Sequence, residues 1–186
     1  SVFPIAVVAP PPHILASPPP ASIPQDQWNR NKTVSISGVE GLHDYREVRG
    51  VRFSNSDFYL NFFRLTVGEE GINAGGGLAN IWGGGATTAI GNTLRFYSKA
   101  GEGNALRIEG WISDNAQGRV GVLVKKENPY ERGIGIIRIS GGYNSTFTGD
   151  VTVEGKDSHL YFAKREVCSK RRGGRNRAFK PDRRYF

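Results

Sequence analysis

Between residues 33 and 164, apolar and polar side chains alternate with the two-residue period of a β-strand, whose successive side chains face opposite ways. Val34-Ser35-Ile36-Ser37-Gly38 opens the pattern. Leu106-Arg107-Ile108-Glu109-Gly110, Ile137-Arg138-Ile139-Ser140-Gly141 and Val151-Thr152-Val153-Glu154-Gly155 share its form. Further alternating runs place Val120, Val122 and Val124, Leu94 and Phe96, and Leu160 and Phe162 on inward-facing positions. In each five-residue unit two side chains point inward, and the closing glycine permits a turn conformation that other residues avoid. From Leu106 the runs begin again after 14, 17, 14 and 9 residues, at Val120, Ile137, Val151 and Leu160. Such steps are short for strand–helix–strand crossovers, and no stretch carries a helical apolar stripe. The pattern predicts an all-β fold built as a β-solenoid, each coil burying its apolar side chains against the next; the alternative is a β-sandwich or jelly roll. Residues 73–85 (NAGGGLANIWGGG) hold six glycines and are expected to form a wide loop or a tight run of corners.

Composition divides the chain into three. Residues 1–27 contain eight of the ten prolines, which predicts a proline-rich extended leader, because proline offers no N–H to a ladder. Residues 28–164 form the β region. In residues 165–186, nine basic side chains stand against Glu166 and Asp182, a net of +7, which leaves +1 for the rest of a chain whose total is +8. That tail, poor in aliphatic residues, is expected to be disordered. Its Lys170, Arg171, Arg172, Arg175, Arg177, Arg183 and Arg184 are candidates for nonspecific polyanion attraction. With 38% apolar residues and 25 glycines in 186, the core must be thin and shared among many turns. The single cysteine, Cys168, allows no internal disulfide, and no apolar run approaches the ~20 residues of a membrane-spanning helix. A first residue of serine predicts a processed product or a fragment, and the short apolar residues 1–9 read as an extended tail rather than a signal remnant.

Signals for catalysis are sparse. His13, His43 and His159, taken with Cys168, show no metal-ligand spacing, and no GxSxG turn or phosphate-cradling glycine loop is present. Asp57, Glu69, Glu70, Asp114, Glu127, Glu131, Asp150, Glu154 and Asp157 fall near predicted turns, but nothing selects a pair of them for acid–base work. No catalytic residue, metal or cofactor is assigned, and the balance is against an enzyme. Trp82, Trp111 and Tyr143 are the candidates for surface recognition, since their rings present a flat apolar face with a polar edge. Trp28 and Tyr130 belong to the same class.

The stretch from residue 106 to 164 resembles the strand repeat of bacterial autotransporter passenger regions. The matching pieces are Leu106 to Gly110, Ile112-Ser113, Gly121 to Lys125, Ile137 to Gly141, Asn144 to Asp150, Val151 to Gly155 and Leu160 to Lys164, with a looser likeness from 33 to 99. Asn144-Ser145-Thr146-Phe147-Thr148-Gly149-Asp150 is the most specific of them. The resemblance implies a right-handed parallel β-helix with disordered tails, displayed at the bacterial cell surface or otherwise extracellular. A truncated product would stay in the cytoplasm. It implies a noncatalytic passenger-like fragment with a scaffold or adhesion role, partnered by a surface polysaccharide or a host-surface ligand. The alternatives are a secreted polysaccharide lyase or hydrolase on a β-helix, and a small polyanion-binding protein acting through its basic tail.

Overall fold

The computed structural model describes residues 22–99, 101, 105–128, 131–140 and 145–162, together with the backbone of Arg165–Cys168. Twelve strands account for most of these residues. They are β1 (Thr33–Gly41), β2 (Arg46–Tyr59), β3 (Arg64–Trp82), β4 (Ala86–Ala89), β5 (Thr93–Ser98), β6 (Leu106–Ile108), β7 (Trp111–Ile112), β8 (Gly121–Lys126), β9 (Gly135–Ile139), β10 (Val151–Glu154), β11 (Ser158–Phe162) and β12 (Arg165–Cys168). The alternation has the expected phase. Val34, Ile36, Leu106, Ile108, Ile137, Ile139, Val151 and Val153 are all buried, while Arg138 between two of them is exposed.

Every ladder between these strands is parallel except that of β11 with β12. The strands follow one another round three sides of an axis. The first side carries the early halves of β1 and β2, the middle of β3, then β5, β8 and β10. The second carries the late halves of β1, β2 and β3, then β6, β9, β11 and β12. The third and shortest carries the starts of β2 and β3, then β4 and β7. Together they sweep 299° round the axis, so the sheet nearly closes on itself as a parallel barrel. Phe53, Phe58, Phe96, Leu60, Leu65, Ile72, Ile81 and Leu94 fill its interior.

Closure corrects the right-handed β-helix expectation, because the strands surround one interior instead of extending as an open solenoid. No fixed repeat exists either. Along the first side, Val34, Val51, Ile72, Phe96, Val124 and Val153 are successive partners, separated by 17, 21, 24, 28 and 29 residues. The steps of 14, 17, 14 and 9 read from the sequence pass from one side of the barrel to another, and so are not a repeat length. The sandwich or jelly-roll alternative fails because the ladders are parallel. With the repeat goes the resemblance to autotransporter passengers, and with that the reading as a passenger-like fragment with a scaffold or adhesion role. The lyase or hydrolase alternative presupposed a β-helix and falls with it. A two-residue alternation reports only which side chains face inward, and that is the same in an open coil and a closed barrel.

The glycine-rich residues 73–85 mostly continue β3, the longest strand, and then turn into β4. Two glycines are forced by close approach. A Cβ at Gly71, whose φ is +68°, would fall 2.5 Å from the Arg95 carbonyl oxygen, and one at Gly85 would fall 2.2 Å from that of Phe63. One end of the interior is closed by residues 23–28. Trp28, 7% exposed, stacks on Phe58 and donates its indole N–H to the Ile23 carbonyl at 2.7 Å. Gln25, buried in the single 3-10 turn Gln25–Gln27, donates to the Gly41 carbonyl and to Glu40, and accepts from the His43 amide. Toward the other end, Phe147 meets Phe162 edge to face. Among the described residues no helix is long and apolar enough to cross a membrane. The leader up to residue 21, Tyr143, and the basic residues from Lys170 to Arg184 lie outside the described residues.

Candidate functional site

Where the second side turns into the third, three successive passes make corners at residues 60–63, 83–85 and 109–110. Leu60 anchors the first of these corners in the core, and Asn61 and Phe62 follow it with φ of +48° and +66°. Asn61 is suited to that conformation and donates through Nδ2 to the Leu42 carbonyl at 3.1 Å. Phe62 is not suited to it, yet its ring is 85% exposed. A bulky apolar residue held in a left-handed conformation and turned into solvent sacrifices stability, which is the usual mark of a selected surface.

Aromatic side chains collect around it. Tyr59, 41% exposed, stacks on half-buried Trp82 with centroids 6.1 Å apart and planes 20° from parallel. Asp57 Oδ1 accepts both the Trp82 indole N–H and the Asn80 Nδ2–H at 2.8 Å, which fixes the indole in its plane. The Phe62 ring lies over Gly84, 3.6 Å from where a Cβ would stand. On the third side Tyr45 is exposed, meets Phe63 edge to face at 5.7 Å, and carries the Arg64 guanidinium over its ring at 5.9 Å. Arg64, Ala86 and Trp111 are cross-strand neighbours, so half-buried Trp111 borders the same corner. Beside Asp57 and Asn80, the outward register on the second side continues through exposed Arg107 and Arg138.

The opposite corner, where the third side turns into the first, is polar. Its early passes form two open hollows of about 470 and 390 Å³ on either side of Glu69. The larger is lined by Arg30, Arg49, Arg95, Glu69, Asn92 and Thr93, the smaller by Arg52, Glu69, Glu70, Asn73, Tyr97 and Glu127. Arg49 pairs with Glu69 at 3.1 Å and Glu70 at 3.2 Å, Arg30 pairs with Glu47 at 2.7 Å, and the Thr33 hydroxyl donates to Glu70. On a later pass Asp114 holds the corner together. It accepts the Val120 and Thr148 amides at 2.7 and 2.9 Å and the Thr148 hydroxyl at 2.8 Å. Burial alone would raise its pKa, but these three bonds and nearby Arg119 outweigh it and hold the carboxyl below its usual value.

Trp82 and Trp111, singled out from the sequence, thus share one corner, whereas Trp28 is spent on closing the barrel. Tyr59 and Phe62 were missed. Tyr59 reads as the last outward residue of a strand, and nothing in the sequence marks Phe62 as left-handed. Glu69, Glu70 and Glu127 are the expected turn carboxylates that converge on one hollow, while Asp57 and Asp114 are engaged in holding neighbours. Among the described residues no group of three His, Cys, Asp or Glu side chains is placed to hold a metal ion. No protein-family model matches the chain, and no curated protein or solved structure matches it.

Proposed function

We propose that the aromatic corner recognises a carbohydrate chain, with Trp82 and Tyr59 as the stacking platform and Phe62 and Trp111 extending it. The stacked, hydrogen-bonded Tyr59–Trp82 pair carries the reading. A pyranose ring presents C–H groups on one face and hydroxyls round its edge. It therefore needs a flat apolar surface bordered by fixed hydrogen-bonding groups, here Asp57, Asn80 and Arg107. Rings that are already locked lose little conformational entropy when a ligand settles on them. An extracellular location accompanies the reading.

The test is titration of the full chain with neutral oligosaccharides of several linkages, followed by tryptophan fluorescence. Trp82→Ala is expected to weaken binding by roughly tenfold or more, as for a central aromatic contact, and Trp111→Ala by less. Failure of every oligosaccharide to bind, or equal binding by Trp82→Ala, sinks the proposal.

A further inference from the structure

We infer that the larger hollow of the polar corner is an oxyanion site, in which Arg95, flanked by Arg49 and Arg30, receives a carboxylate, sulfate or phosphate group. Three guanidinium groups line this hollow of about 470 Å³ against the single carboxylate of Glu69. Two of them are committed to neighbours and thereby held in place. Arg30 donates through both Nε and Nη2 to Glu47 Oε2, at 3.2 and 2.7 Å. Arg49 bridges Glu69 and Glu70.

Arg95 differs from both. It is half-buried, its backbone is closely packed against Gly71, and among the described residues no carboxylate lies within ion-pair distance of it. A partly desolvated guanidinium that faces a hollow without a partner lacks the charge-assisted bonds its fork is shaped to make. An oxyanion supplies them. Glu69 is an exposed rim group already neutralised by Arg49, so it does not close the hollow to anions. The adjoining hollow of about 390 Å³, with Tyr97, Asn73 and Arg52, offers hydrogen-bonding groups to whatever the anion is attached to.

Two probes separate a free oxyanion from one carried on a sugar chain: inorganic sulfate, and a galacturonic acid tetramer. Each is titrated into the full chain, with backbone amide shifts as the readout. Saturable shifts are expected at Gly68, Gly91, Asn92 and Thr93. Arg95→Gln should weaken binding roughly tenfold, the equivalent of one charge-assisted contact, and Arg30→Gln should weaken it less. Tighter binding of the tetramer than of sulfate assigns the site to acidic glycans, and equal binding assigns it to the oxyanion alone. Trp82→Ala is expected to change neither, so this site and the aromatic corner fail independently. Shifts confined to residues 169–186, or undiminished binding by folded Arg95→Gln, overturn the inference.

Discussion

The two corners that flank the short third side are made by the same passes of the chain and solve the same problem in opposite ways. At the aromatic corner the turn is anchored from beneath by Leu60, and its exterior is given to rings, one of which stands in a strained backbone conformation. At the polar corner the turns are held from outside, by ion pairs at Arg49 and by the carboxylate of Asp114. A turn that hides its anchor in the core leaves its surface free for display. A turn that depends on surface hydrogen bonds has spent part of that surface on itself. The contrast explains why an unpaired Arg95 stands out at the polar corner, and why Phe62 stands out at the aromatic one.

The largest test of this contrast removes the buried anchor. Leu60→Ala is expected to destabilise the fold by about 2–5 kcal/mol, as for other fully buried leucines, measured by denaturant unfolding. A loss below about 1 kcal/mol would show that the aromatic corner is not held from beneath.

Asp114→Asn comes next. The amide keeps one acceptor oxygen but loses the charge, so a loss of about 1 kcal/mol is expected at neutral pH. Because folding depresses the Asp114 pKa, its stabilisation is fully present above the unfolded carboxylate value of about 4 and is lost as pH falls through the lower folded value. The gap between the two proteins should therefore be constant from pH 7 to about 5 and close below about 4. A gap that widens on acidification would contradict the role given to this carboxylate.

Phe62→Asn is the smallest and the most telling. Asparagine tolerates a left-handed backbone, and little packing is lost from a ring so exposed. Stability is expected to hold or rise by up to about 1 kcal/mol, while oligosaccharide binding falls. Lower stability together with unchanged binding would make Phe62 a structural residue and reduce the aromatic corner to the Tyr59–Trp82 pair.

Much of the strand content was legible because burial on a sheet follows a period of two, and Ile137, Arg138 and Ile139 show that phase without error. Trp82 was legible as a candidate because an amphipathic ring among glycines has few ways to be hidden. Its partner Tyr59 lies 23 residues earlier in the chain and meets it only through the β2–β3 register. Arg95 reaches Arg49 and Glu69 across a comparable gap, by the same kind of lateral pairing. Trp28 was misleading for the converse reason. Next to a proline-rich stretch it reads as a surface aromatic, but the open end of a barrel needs a lid, and Trp28 with Gln25 provides it.

By itself the sequence determined that the chain is all-β, which side chains of each strand face inward, and that charge is concentrated in the tail rather than the body. All of these are local quantities, set by alternation over a few residues or by composition. Only the tertiary structure decided that the strands close into a parallel barrel, that the spacing between partners grows from 17 to 29 residues along one side, and which residues share a corner. Closure and register are set by how many residues each corner consumes before the next strand meets its ladder. That number depends on contacts between passes, such as Gly71 against Arg95 and Gly85 against Phe63, which a two-residue period does not encode.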